Sequence, residues 1–410
     1  MSVPPATLSP HGSRDPAAAA PLGLTLLLGL LVGLSAFGMD MYLPTLPGMA
    51  RDLAAGSGAA QLTITTYLLG LAAGLFVWGP VSDRYGRKPV LVFGLALFFA
   101  SSLACSMAQS MQEVAIWRLA QGIGMSSGPV IARSVVRDLY AREQAAQLLG
   151  RMTAVFGLIP VFGPLVGAQT IAWQGWPAVF WVFTAAAAAL LVAVVVRLPE
   201  TAPAERGSMA PGRLAANFAL LLGDRRFVAA LAPMLSAQMA IIAFVSSSSL
   251  VAVDALGLTP TQFSLMFATV MLGQLSGGYA GSRLVGRKGI GAMVRMGVTL
   301  TLVCGLLLAA LALAGVAHWA AVCLPMLGFV LGCAFVVPNA TAAALAPFPK
   351  MAGAASSLLG MLPFALGALV SAALGAAFNG SAVPMACTVA LFGALAFAAE
   401  RLLFRKFALR

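Results

Sequence analysis

Long apolar runs separated by short polar turns cover the chain from residue 22 to residue 403. Twelve of them are long enough to cross a bilayer, at about 20 residues each. They are 22–43, 59–79, 89–108, 112–133, 147–170, 175–196, 227–250, 262–282, 291–313, 319–342, 354–376 and 383–403. Each predicts a helix, because a chain inside lipid must satisfy its own backbone hydrogen bonds. Most runs join through short turns. The exception is 197–226, where Pro199, Pro203 and Pro211 accompany eight charged residues. The pattern therefore predicts a tail (1–21), a six-helix bundle (22–196), a linker (197–226), a second six-helix bundle (227–403) and a second tail (404–410).

Charge orients the helices. Lys and Arg occupy the tails, the linker and every second loop: Arg84, Arg87 and Lys88; Arg133, Arg137, Arg142 and Arg151; Arg283, Arg287, Lys288 and Arg295; and Lys350. Only Arg51 falls in the other set of loops, and only Arg118 lies inside a span away from its cytoplasmic end. The positive-inside rule then puts both termini in the cytoplasm of a multi-pass protein. Composition agrees: 60% of the 410 residues are hydrophobic and 9% charged, against about 25% charged in soluble chains. That excludes a soluble enzyme or a disulfide-stapled secreted domain. The net charge of +12 is dispersed over loops, so it predicts no nucleic-acid partner. The five Cys lie in apolar stretches without a CxxC and read as reduced thiols. His11 and His318 alone support neither a metal site nor His-based catalysis, and no cofactor is implied. The run Leu22–Gly38 is longer than a signal-peptide core and reads as a retained helix.

The same pass shows a repeat. Val81–Pro89 reads VSDRYGRKP, and 200 residues later Gly281–Gly289 reads GSRLVGRKG, each after the second helix of its half. Such duplication is common in secondary transporters, whose substrate site lies between the halves.

Four motifs carry the candidate chemistry. In Gly79–Pro89 (GPVSDRYGRKP), Gly79 and Pro80 end one helix, Gly86 permits a tight turn and Pro89 starts the next. Asp83, Arg84, Arg87 and Lys88 place both charge signs in that short loop. A topology anchor would need neither the acid nor the glycine spacing; a conformational latch would need both. The expected partners of Asp83 are Arg133, Arg137 or the helix start near Gly353–Ser356, where an anion is favoured. The second copy has Arg283 in place of the acid, so its latch is in doubt.

Arg118 lies in Trp117–Gly122, and a charge at that depth costs about 2.5–3.5 kcal/mol on insertion scales, which marks a functional residue unless it snorkels. Gln121, Gly122 and Met125 share its helix face. Glu113 follows Ser110 by three and reads as a structural capping box. Helix 5 holds Gly157, Pro160, Gly163, Pro164 and Gly167, with the two prolines on one face to bend it. Asp40 closes helix 1 in DMYLPTLP.

These motifs resemble those of the major facilitator superfamily: the loop between helices 2 and 3, the Arg-x-x-Gln-Gly of helix 4 and the antiporter motif of helix 5. With Arg137–Tyr140 and Pro338–Pro349 (PNATAAALAPFP), the order is similar to that of the bicyclomycin/chloramphenicol-resistance (Bcr/CflA) drug:proton antiporters. The resemblance implies an all-α membrane protein with twelve transmembrane helices in two pseudo-symmetric six-helix bundles. It implies proton-coupled efflux of amphipathic drugs such as chloramphenicol or bicyclomycin across the bacterial inner membrane, by a functional monomer in the lipid bilayer. An exporter of an endogenous metabolite is the alternative. A membrane enzyme would need a catalytic cluster, and a channel would prefer a ring of like charges or a filter loop; neither is visible. Some related multidrug antiporters carry two acidic groups in helix 1, whereas Asp40 stands alone here, leaving proton stoichiometry open.

Asp40 and Arg118 are the expected proton-coupling pair, both about 6–9 Å below the outer helix ends and able to neutralise one another. Tyr67, Gln121, Met125, Gln238 and Asn339 are candidate cavity residues. As polar groups, Tyr67, Gln238 and Asn339 could equally bond neighbouring helices.

Overall fold

The computed structural model describes residues 22–140, 142–202 and 211–408. The expected N-terminal tail with His11 and Arg14, linker residues 203–210 and the last two residues lie outside that range. The described residues contain no strand. In chain order they form α1 (Leu22–Asp40), α2 (Leu46–Asp52), α3 (Ser57–Tyr85), α4 (Arg87–Ser106), α5 (Met111–Leu139), α6 (Arg142–Gln174) and α7 (Pro177–Arg197). The second set is α8 (Pro211–Gly223), α9 (Arg225–Leu250), α10 (Pro260–Lys288), α11 (Ile290–Leu313), α12 (Trp319–Leu345), α13 (Ala352–Ala377) and α14 (Val383–Ala399).

Every expected span has its helix, and nine stretches among the described residues are long and apolar enough to cross a membrane. Helices α5, α6 and α10 fall outside those nine. Their apolar runs are broken by polar residues and glycines, and in α5 and α6 also by prolines.

Three features differ from the sequence reading. The segment expected to be only a linker contains α8, with Pro at its first position and Leu221 buried. The chain after α1 stays inside: Leu43–Thr45 form a buried 3-10 turn and α2 buries Leu46, Pro47, Met49 and Ala50. Finally, α14 does not stop near residue 403 but changes to a π-helix over Glu400–Ala408.

Glycines fix how the helices cross, since small residues let backbones approach in lipid. The α-carbons of Gly70 on α3 and Gly122 on α5 nearly touch: a Cβ on either would meet the other's Cα at 3.1 Å. Gly94 packs on Gly124 between α4 and α5 in the same way. The second half repeats the device: Gly273 and Gly277 pack α10 on α12, and Gly297 meets Gly332 between α11 and α12. Gly70, Gly74, Gly86 and Gly94 thus return at one constant spacing as Gly273, Gly277, Gly289 and Gly297. That corrects the motif alignment. The partner of Gly86 (φ 103°) is Gly289 (φ 78°), not Gly286, because α10 runs on to Lys288 before the chain turns.

The halves meet at the end remote from the arginine-rich loops. There Ser57 donates to Asp254 (3.5 Å), Gln61 to Ser247 (2.9 Å) and Thr65 to Ser371 (3.1 Å). Gly58 lets α3 lie against the α13 backbone at Gly375. At the arginine-bearing end the link is α8, which packs on α13 and sets Phe218 against Phe76 of α3.

Candidate functional site: a caged arginine beside Asp40

Helix α5 opens on an N-cap: the Ser110 side chain accepts from the Glu113 backbone N–H (3.3 Å), while the Glu113 carboxylate accepts from that of Gln109 (2.9 Å). Glu113 therefore holds the helix start. Arg118, two turns further on, is completely buried. Its guanidinium carbon sits 4.1 Å from the ring centre of Tyr42 and 3.9 Å from that of Tyr67. Desolvated cation–π contacts contribute about 2 kcal/mol each, so together they match the cost of burying the charge.

One nitrogen, Nη1, donates to the Gly38 carbonyl (3.0 Å) and to the Gln121 side-chain oxygen. Gln121 in turn donates to Ser102 (2.7 Å). Tyr67 is fixed by donating to the Ser35 carbonyl (3.2 Å), and the Tyr42 hydroxyl bonds that of Thr63. The other guanidinium nitrogens, Nε and Nη2, have no hydrogen-bond partner among the described residues. Buried donors without a partner call for an explanation, such as another group that they would meet.

Asp40 is not that group in this conformation. The expected ion pair is absent among the described residues, because the Arg118 nitrogen that points to α1 is taken by the backbone of Gly38. The depth argument also changes, since Asp40 is the last residue of α1 and is covered by the buried turn that follows. Its wall is helix α6. A Cβ on Gly163 would stand 3.2 Å from the Asp40 Cβ, and Gly167 lies against the Met41 carbonyl and Pro44. The neighbouring Pro164 carbonyl accepts from Ser264 of α10 at 2.8 Å, across the divide between the halves. Pro160 and Pro164 both lie within α6; Gly157 faces Leu275 of α10.

The candidate cavity residues separate. Tyr67 and Gln121 are fully buried on Arg118, and Met125, one turn beyond Gln121, is fully buried as well. Asn339 is bonded to the Phe335 carbonyl one turn back (2.8 Å), and Gln238 is half-buried on α9. Three residues that matter were not singled out: Tyr42, Gln61 and Thr65. Tyr42 lay in the DMYLPTLP motif, where aromatic character alone does not announce a stacking partner.

At the arginine-bearing end, Arg87 is the hub rather than Asp83. It is 7% exposed and pairs with Asp83 one turn back, with Asp138 at the end of α5 (3.0 Å) and with Ser82 (2.7 Å). The expected partners of Asp83, Arg133 and Arg137, are exposed, and Arg137 bonds Ser134. The α13 start at Gly353 and Ser356 is exposed as well. Arg84 stacks on Tyr85, and Lys88 reaches the Val195 carbonyl (2.8 Å). Gly79 sits one turn before Ser82, which donates to its carbonyl (2.9 Å).

Glu200, missed in the sequence, caps α4 through the N–H groups of Arg87 (2.8 Å) and Lys88 (3.2 Å). Partial burial pushes its carboxyl up, but four backbone N–H groups outweigh that and hold it below the ordinary range. In the second half the glycine spacing puts Gly286 at the position of Asp83, and Arg283, which the motif alignment had set there, stacks on Tyr279 at 4.8 Å.

The Major Facilitator Superfamily model matches residues 28–372. A "Bicyclomycin resistance protein homolog" of Haemophilus influenzae is 29% identical, covering 89% of this chain and 92% of that protein. A "Chloramphenicol resistance protein" of Pseudomonas aeruginosa is 29% identical over 83% of this chain and 80% of its own length. "Multidrug resistance protein MdtL" of Vibrio parahaemolyticus is 30% identical over 79% and 81%. Among solved structures, the partially occluded inward-open xylose transporter XylE of E. coli superposes with a TM-score of 0.71, at 16% identity over 94% of this chain and 97% of that one. This all-α, multi-pass membrane protein belongs to the Major Facilitator Superfamily.

Proposed function

We propose that the protein exports amphipathic small-molecule drugs, of the chloramphenicol or bicyclomycin kind, across the bacterial inner membrane in exchange for protons. The observation that carries the proposal is the layer in which Asp40, the caged Arg118 and the α6 glycines meet. The printed names of the relatives support the drug class. With the arginine-bearing end in the cytoplasm, as the positive-inside rule favours, both termini are cytoplasmic and the closed end faces outward. An alternating-access monomer closed at that end faces inward, and we read the arrangement so. Drug enters from the cytoplasmic side; Asp40 takes up a proton when the outer contacts open, and releases it when they close.

Coupling runs through α6. Loading or unloading Asp40 changes what its wall at Gly163 and Gly167 must accommodate, and the Pro164 carbonyl passes that change to Ser264 in the other half. Arg118 supplies a fixed positive potential, and its unused Nε and Nη2 are the donors a polar drug group or the Asp40 carboxylate would reach after rearrangement.

Inside-out vesicles with an imposed proton gradient test the proposal directly. Labelled chloramphenicol should accumulate, and an uncoupler should discharge it. Asp40→Asn should still bind the neutral drug in equilibrium dialysis but lose accumulation. Gradient-driven accumulation by Asp40→Asn at the wild-type level would remove Asp40 from the coupling step.

A further inference from the structure

The last turns of the chain and the linker helix form a feature unconnected with the transport layer. Between the end of α8, the start of α9 and the terminal π-helix lies a groove of about 360 Å³, lined by Leu222, Gly223, Arg225, Val228, Ala229, Leu403 and Phe407. Its floor is aliphatic and aromatic. Its surroundings are cationic: Arg225, Arg226, Arg405 and Lys406 are all exposed, and none of them pairs with an acid among the described residues. Lys406 lies beside the Phe407 ring, 5.2 Å from its centre.

The two nearby acids are engaged. Asp224 accepts from the Arg226 backbone N–H at 2.7 Å as the N-cap of α9. Glu400 is buried, with Arg295 at 3.7 Å and Arg401 at 3.5 Å. The patch therefore presents uncompensated positive charge over an apolar floor.

Exposed leucines frame the same place: Leu220, Leu222 and Leu402 are 64%, 46% and 69% exposed. A water-soluble anion would satisfy the arginines and leave these leucines wet. A molecule with an anionic head and a hydrocarbon tail satisfies both. The groove also lies where the helices leave the bilayer, at the arginine-bearing end, where clustered Lys and Arg attract anionic headgroups.

We propose that this groove is a binding site for one anionic phospholipid of the surrounding leaflet. Its phosphate lies among Arg225, Arg405 and Lys406, and an acyl chain lies over Val228, Leu403 and Phe407. The bound lipid joins α8 to the C-terminal turn and so secures the helix that bridges the two halves at the arginine-bearing end.

The experiment uses the full chain in nanodiscs of phosphatidylcholine doped with a photoreactive phosphatidylglycerol, with adducts mapped by peptide mass spectrometry. Adducts should concentrate on residues 220–229 and 402–408. Unlabelled phosphatidylglycerol should displace them, while phosphatidylcholine and soluble glycerol phosphate should not. Arg225→Gln and Lys406→Gln should each weaken competition roughly fivefold, the effect of one cation near an anionic surface. A larger loss of charge on the α10 end, Arg287→Gln with Lys288→Gln, should leave the adducts in place and serve as the control for folding. Adducts spread evenly over the lipid-facing helices would overturn the proposal. So would displacement by phosphatidylcholine, displacement by glycerol phosphate, or unchanged competition in both single variants.

Discussion

Gly163 of α6 lies so close to Asp40 of α1 that the smallest added side-chain atom would stand 3.2 Å from the Asp40 Cβ. The only deeply placed acid of the first helix is thus packed against a backbone in the other motif that sequence alone had marked.

This contact sets a graded test. At Gly157 a Cβ meets only the movable end of Leu275, at Gly163 it crowds Asp40, and at Gly167 it collides with the backbone carbonyl of Met41. Alanine at the three positions should therefore cost increasing stability, up to about 1–3 kcal/mol for overpacking. Drug accumulation should fall in the same order. Melting curves and vesicle uptake on the three variants check it, and a flat series would separate the glycines from Asp40.

The cage around Arg118 predicts a split at Tyr67. Tyr67→Phe keeps the ring over the guanidinium and loses one hydrogen bond to Ser35, about 1 kcal/mol. Tyr67→Leu loses the cation–π contact and leaves the buried charge less compensated, about 2 kcal/mol. Transport should survive the first and fail in the second. Arg118→Lys should also fail, since an ammonium cannot stack as a guanidinium does.

At the arginine-bearing end the two acids should behave differently. Asp83 is half exposed, so Asp83→Asn should change stability by at most about 1 kcal/mol. The side chain of Asp138 is 15% exposed and meets a buried guanidinium, so Asp138→Asn should cost about 2 kcal/mol. A transport defect in Asp83→Asn with an unchanged melting temperature would identify a latch that acts in another conformation.

Glu200 gives a pH dependence. Its carboxyl is held below the ordinary carboxylate value of about 4.3. The stabilisation is therefore complete above that value and is lost as pH falls through the lower folded-state value. Melting temperatures between pH 7 and pH 3 should drop more for wild type than for Glu200→Gln, and parallel curves would refute the capping role.

The contacts at the closed end predict a population shift. Removing the Gln61–Ser247 and Thr65–Ser371 hydrogen bonds with Gln61→Leu and Thr65→Val withdraws about 2 kcal/mol from that state, roughly 30-fold in population. Spin labels at the exposed positions Gln109 and Val316 should then report a longer distance.

The helices, the orienting charges and the duplicated architecture were legible because each rests on a pattern repeated along the chain. Arg118 was legible because a lone charge in an apolar run is conspicuous. Its partners were not. Tyr42 and Tyr67 are ordinary aromatic residues until α1, α3 and α5 meet, and the Gly38 carbonyl that displaces Asp40 from the expected ion pair has no signature in sequence. The same applies to Glu200, which acts 112 positions from the Lys88 amide that it caps. Helix α8 was hidden because three prolines and eight charges outweighed a short leucine-rich stretch.

The two halves share a backbone turn at Gly86 and Gly289 but not what surrounds it. Around Gly86 a Cβ would strike Glu200, and Arg87 ties Asp83, Asp138 and Ser82 into one knot; around Gly289 there is open space. Duplication has left a cross-tied joint in one bundle and an untied one in the other. A rocking motion shared between them is therefore expected to bend first at the α10–α11 turn.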